Sequence, residues 1–154
     1  MTSPISVHTD LTSVLAQYIY NFLLTEKGDL GLNDVFYGNH NNIPQDNIVV
    51  VIPGPKIREL WGVSAPGGRV KNEMSIYIDV MTQKVLIGET AGRLATDQLA
   101  EVVERRIHQD TTMGGRIIHG FVNRWDPGQD FIQQSEFRVV RMTFTGESRT
   151  YLSV

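Results

Sequence analysis

Asn47-Ile-Val-Val-Val-Ile52 is a nearly continuous run of β-branched apolar residues, and it constrains the fold more than any other stretch of the chain. Such side chains are stiff and fit a pleated, packed surface. Without polar alternation the run implies a strand buried on both faces, hence a central one. Pro53-Gly54-Pro55 is predicted to end it sharply, because it is strong turn chemistry. Ile57 to Trp61 can pair back on it, and Ala65-Pro66-Gly67-Gly68 leads on to a long strand from about Arg69 to Met81. There Met74, Ile76, Ile78 and Val80 alternate with Ser75, Tyr77 and Asp79, which predicts one core face and one wetter face.

Two helices flank these strands. Leu11, Val14, Leu15, Tyr18, Phe22 and Leu23 recur at helical spacing, with Asp10 placed to cap and Lys27-Gly28 to stop, so a helix is predicted over about 10–26. Residues 28–47 are then irregular, apart from a short strand at Val35-Phe36-Tyr37 before the polar loop Gly38 to Pro44. The second helix is predicted from about Thr90 to Gln109, with Leu94, Ala95, Leu99, Val102, Val103 and Ile107 as its apolar stripe. Gly114-Gly115 turns into a strand from Arg116 to Trp125, Asp126-Pro127-Gly128 turns again, and Glu136 to Thr145 forms the last strand of a hairpin with a long tip. Residues 147–154 read as a short tail whose Tyr151 and Leu152 suit docking on a neighbour. This order predicts an α+β fold: a largely antiparallel β-sheet with two α-helices packed on one face, as one domain over 1–154.

Composition narrows the function classes. The 154 residues are 41% hydrophobic, enough for one ordinary core, and contain no cysteine. That removes thiol nucleophiles, disulfides, iron–sulfur clusters and Cys-ligated zinc, and it fits synthesis in the cytoplasm. A net charge of −3 argues against a protein that coats nucleic acid. The charge is graded: residues 1–60 hold six acids and three bases, whereas 111–154 carry five arginines, four acids and no lysine. No apolar run reaches the roughly 18 residues of a membrane span, and no basic-then-apolar leader opens the chain, so neither a membrane nor a secreted protein is expected.

None of the candidate chemical constellations outweighs its plainer reading. His8, His40, His108 and His119 include no helical metal-site spacing; His108-x-Asp110 with His119 is the one set worth testing, and a histidine at a helix C-terminus is favoured by the dipole without any ligand. Asp126 and Asp130 bracket good turn chemistry and are too few oxygens for calcium. Gly88-Glu-Thr-Ala-Gly92-Arg93 lacks the Gly-Lys-Ser/Thr ending of a phosphate loop and suits a helix start. Ser64 lies in no Gly-x-Ser-x-Gly setting. No catalytic residue, metal ligand or cofactor site is therefore assigned. The arginines 116, 124, 138, 141 and 149, interleaved with Phe121, Trp125, Phe137 and Phe144, suit an assembly interface better than a nucleic-acid surface, since no RNP-type aromatic motif accompanies them. The interface candidates are Trp61, Arg69, Arg124, Trp125, Asp126, Arg149, Tyr151 and Leu152.

Several stretches in joint order resemble the tail terminator proteins of long-tailed bacteriophages. They are Val35-Phe-Tyr-Gly38 with Ile43-Pro44, Asn47 to Lys56 with Arg58-Glu-Leu60, Gly114-Gly-Arg-Ile-Ile-His-Gly-Phe-Val122, Asp126-Pro-Gly128, Arg138 to Arg141, and Phe144 to Leu152. The resemblance implies a non-enzymatic virion protein, made in the host cytoplasm, that assembles as a homo-hexameric ring on the head-proximal end of the tail tube. Such a ring stops tube polymerisation and presents a docking face to the neck. The partners implied are the tail tube protein, a head–tail connector or neck protein, a sheath-terminating protein if the tail is contractile, and DNA only as cargo passing through the lumen. The family has no catalytic residues to transfer. Its nearest alternative is another neck component, a head–tail joining, head-completion or connector protein on the portal side. The chain departs from the family pattern in its longer Asn-rich loop at 38–47 and its Gly-rich 62–68 connection.

Overall fold

The computed structural model describes residues 11–38, 46–63, 68–83, 88–132 and 135–151. In chain order these form α1 (Thr12–Thr25), α2 (Lys27–Leu30), β1 (Asp34–Tyr37), β2 (Ile48–Val63), β3 (Gly68–Thr82), α3 (Glu89–Ile107), β4 (His119–Ile132) and β5 (Ser135–Tyr151). The described strands make one sheet in the order β1-β2-β3-β5-β4, antiparallel throughout except for the parallel β1–β2 pair. The predicted α+β class and antiparallel sheet are what the structure shows.

α1 and α3 pack on one face. Leu15, Ala16, Ile19 and Leu23 of α1 and Ala100, Val103 and Ile107 of α3 join Val49, Val51, Met74, Ile76, Ile78, Val80, Val140, Met142 and Phe144 in one apolar cluster. The alternation read from β3 holds: its even-numbered residues from Val70 to Thr82 are buried on the helix side. β2 is double-sided as far as Val50. Val49 and Val51 enter the main core, while Ile48 and Val50 form a second cluster on the opposite face with Met81 and Phe137, against which Phe36, Ile52 and Val139 pack.

Two of the stretches predicted as turns lie inside strands. β2 does not end at Pro53-Gly54-Pro55: it continues to Val63 with a register shift between Pro53 and Lys56, so Ile57 to Trp61 extend the same strand and pair with β3 instead of folding back. Prolines are admissible there because β1 stops opposite Val51, leaving that edge of β2 without a neighbouring strand. Likewise Asp126-Pro127-Gly128 sits within β4, the other edge strand, which starts at His119 rather than Arg116 and runs to Ile132. The β4–β5 hairpin therefore has no long tip, since Ile132 already pairs with Ser135.

Two further boundaries and one helix face differ from expectation. The first helix is two: α1 ends at Thr25, and α2 follows and carries Gly28 inside it, the left-handed stop being Gly31 at φ 75°. The predicted cap Asp10 lies outside the described residues, and the N-cap position, Leu11, makes no side-chain cap. β5 does not end at Thr145, because residues 146–151 continue it against β3, with Tyr151 opposite Arg69. Five residues of the predicted tail are thus strand, and Leu152 lies outside the described residues. On α3 the buried face is Thr96, Ala100, Val103 and Ile107, with Leu99 partly buried; Leu94 and Val102, assigned to the stripe, are 56% and 42% exposed.

Candidate functional site

The face of the sheet opposite α1 and α3 bears no helix among the described residues, and beyond the second apolar cluster it is mostly polar, with Ile57 and Phe121 exposed on it. Register places its side chains in rows: Asp79 of β3 beside Arg141 of β5 and Asp126 of β4, then Tyr77, Thr143 and Arg124, then Ser75, Thr145 and Phe121. Farther along, Glu73 pairs with Glu147, Lys71 with Arg149, and Arg69 with Tyr151. Four of the interface candidates, Arg69, Arg124, Asp126 and Arg149, therefore share one surface, with the Tyr151 backbone at its rim.

The centre of this surface is an ordered stack. Arg141 makes a two-pronged contact with Asp79, Nε to Oδ1 at 2.8 Å and Nη2 to Oδ2 at 2.9 Å. Its guanidinium lies over the Tyr77 ring, 4.7 Å from the centroid. The hydrogen bond to Asp79, followed by that carboxylate's charge, holds the guanidinium's pKa above its ordinary value against the cost of burial. The tyrosine is in turn seated against Gly54: a Cβ at that position would stand 3.0 Å from Tyr77 Cε2 and 2.7 Å from the Ser75 carbonyl oxygen. This close approach explains a glycine in the β2 register shift. The stack opens on a trough of about 510 Å³ lined by Ser75, Tyr77, Asn123, Arg124, Arg141 and Thr145, among others.

Charges on this face are matched locally. Arg124 pairs with Asp126 at 2.9 Å, Arg149 with Glu147 at 3.2 Å, and Lys71 with Glu73 at 3.1 Å and Glu147 at 3.6 Å. Glu73 is the main reason the Lys71 ammonium is held above its usual pKa. Exposed pairs of this kind contribute little to stability. Their consequence is electrostatic, since cations already matched to carboxylates release few counterions from a polyphosphate. Arginine and tyrosine are residue types enriched at the centres of protein contacts in general.

The remaining sequence candidates fall elsewhere. Trp125 sits mid-strand on the helix side, partly buried against the core, and its Nε1 donates to Glu104 of α3 at 3.1 Å. Trp61 belongs to β2, but its side chain is outside the described part of the structure. His108 and His119 do not meet over a ligand: His108 Nε2 accepts the Val122 N–H at 2.9 Å and closes part of the β4 edge, and Asp110 accepts from Tyr18 and Gly114. Among the described residues no three His, Asp or Glu side chains are grouped to hold a metal ion. Asp126 and Asp130 are likewise separate, Asp130 accepting the Phe131 N–H. Gly88 precedes α3 at φ 107° as a helix entry. Of the five C-terminal arginines, Arg138 is buried on the helix side and Arg116 lies over Tyr18, so neither belongs to the helix-free face. No described helix is long and apolar enough to cross a membrane.

Sequence reasoning did not single out Tyr77 and Asp79 as site residues, although their alternation with the core residues of β3 was the available signal. Asp79 looked like ordinary strand polarity until Arg141, 62 residues away, was brought beside it.

No family model matches the chain, and no curated protein matches it. Among solved structures, a chain from the virion of a native gene transfer agent particle is similar at 12% identity, with 86% of this chain and 92% of that chain covered and a TM-score of 0.49.

Proposed function

We propose that this chain is a structural subunit of a phage-type virion, and within that class a tail terminator. Its subunits form a ring, with six-fold closure implied by the resemblance, that caps the head-proximal end of the tail tube and offers a docking face to the neck. The observation that carries this reading is that Arg69, Arg124, Asp126 and Arg149 share one helix-free face with the Tyr77–Arg141 stack.

A ring requires each subunit to present two unlike, complementary surfaces. A sheet with helices on one side and a polar lattice on the other supplies unlike surfaces within a single small domain. The locally matched cations also suit a particle through which DNA slides, because strong phosphate contacts would hold it in place. The tail tube protein and a neck or connector protein are the partners this reading requires.

The test is negative-stain imaging of the full chain mixed with the tail-tube subunit, scoring rings and tube length. Rings on one end of tubes whose growth has stopped are the expected result. Tubes that grow uncapped, while the chain binds portal or connector particles, would move it to the other side of the neck and overturn the terminator assignment.

A further inference from the structure

A second surface lies on the helix side, away from the sheet lattice. A groove of about 420 Å³ runs along α1, with Ser13, Gln17 and Asn21 on its floor and Tyr18, Tyr37 and Arg116 on its walls. The three floor residues are exposed and four apart, so they form a polar stripe about 12 Å long. That length matches three to four residues of extended peptide at about 3.3 Å each. Amide and hydroxyl side chains in such a row can bond to the alternating N–H and C=O groups of an extended backbone.

The walls are fixed by the chain. Tyr37 donates to the Ser13 carbonyl at 3.4 Å and meets Tyr20 edge-on with centroids 5.8 Å apart. Arg116 lies over the Tyr18 ring, 4.3 Å from the centroid, and its Nη1 donates to the Met113 carbonyl at 3.3 Å. The Tyr18 hydroxyl donates to Asp110 at 2.6 Å, and the Gly114 N–H donates to the same carboxylate at 3.1 Å. The turn that delivers Arg116 is left-handed at three successive residues, Met113, Gly114 and Gly115, at φ 49°, 67° and 83°; the two glycines adopt this freely and only Met113 is strained. A Cβ at Gly114 would lie 2.9 Å from Arg116 Nη1 and 3.1 Å from the Tyr18 hydroxyl, so the glycine is what lets the cation settle on the ring. Arg116 is the charged side chain among the described lining residues, and the Asp110 carboxylate held by Tyr18 feels its charge from outside that lining.

We propose that this groove binds an extended segment of a partner protein through an acidic side chain, whose carboxylate is taken by Arg116 while its backbone lies along Ser13, Gln17 and Asn21. The inference stands apart from the ring reading, since it concerns a different face and needs no assembly.

The probe is a short acetylated, amidated peptide alternating glutamate with leucine and serine, titrated into the isotopically labelled full chain by NMR. The expected result is shifts confined to the amides of 113–118 and the side-chain amides of Gln17 and Asn21. Arg116→Ala should weaken binding about tenfold or more, as loss of a charge-assisted contact does. Asn21→Glu, on an exposed helix surface where folding is not at stake, should weaken it similarly by repulsion. Equal binding of the glutamine counterpart would overturn the proposal, as would shifts elsewhere on the surface or none at millimolar peptide. Equal binding of a neutral peptide with a free carboxyl terminus would assign the groove to a chain end instead and overturn it as stated.

Discussion

Tyr18 shows how single residues couple the helix layer to the turn that follows α3. Its hydroxyl donates to Asp110, and that bond is the largest cause of two opposite displacements: the tyrosine pKa is raised and the Asp110 pKa is lowered. For Asp110 the lowered value means a contribution to stability that is present above the unfolded value of about 3.9 and lost as pH falls through the folded one. For Tyr18 the raised value means a contribution present below about 10 and lost as pH rises further. Tyr18→Phe should therefore cost about 1 kcal/mol in the middle of this range, a figure kept small because both groups remain in contact with solvent. The difference from the parent chain should shrink below about pH 4 and above about pH 10, as read by urea denaturation across pH. A pH-independent difference would mean that lost packing, not the hydrogen bond, is responsible.

Among the elements, α3 gives the sharpest contrast between sequence pattern and packing. Leu94 and Val102 belong to an apolar stripe by spacing, yet the helix turns a different side to the sheet, centred on Thr96, Ala100, Val103 and Ile107. Thr96 is buried without penalty because its hydroxyl bonds to the Gly92 carbonyl at 2.9 Å and to Thr82 Oγ1 at 2.7 Å. Hydrophobicity alone undervalues a threonine satisfied in this way, and so the predicted stripe is rotated. Ile107→Ala should cost about 2–5 kcal/mol and Leu94→Ala no more than about 0.5, measured by thermal or chemical denaturation. The existence and type of the long elements were legible in the sequence because periodicity is local. Pro53-Gly54-Pro55 and Asp126-Pro127-Gly128 were misread as strand ends because their tolerance comes from lying on sheet edges, which tertiary pairing decides.

At the scale of the whole molecule, the sheet separates a helix-covered core from a polar lattice, and the second apolar cluster closes one end of the latter face. The arginine-rich C-terminal third was visible as composition, but Arg138 and Arg116 leave the lattice while Lys71, Glu73 and Asp79 join it. That redistribution follows from strand parity and register, which composition does not contain. The central claim is that the helix-free face is the surface by which copies assemble. It is tested most directly in a chain that has no native cysteine, by placing one with Asn123→Cys, an exposed position lining the trough, and comparing its thiol-labelling rate in the free chain and in rings or tube caps. The account predicts that labelling slows many-fold on assembly; a thiol that reacts as fast in the assembled particle as in the free chain would contradict it.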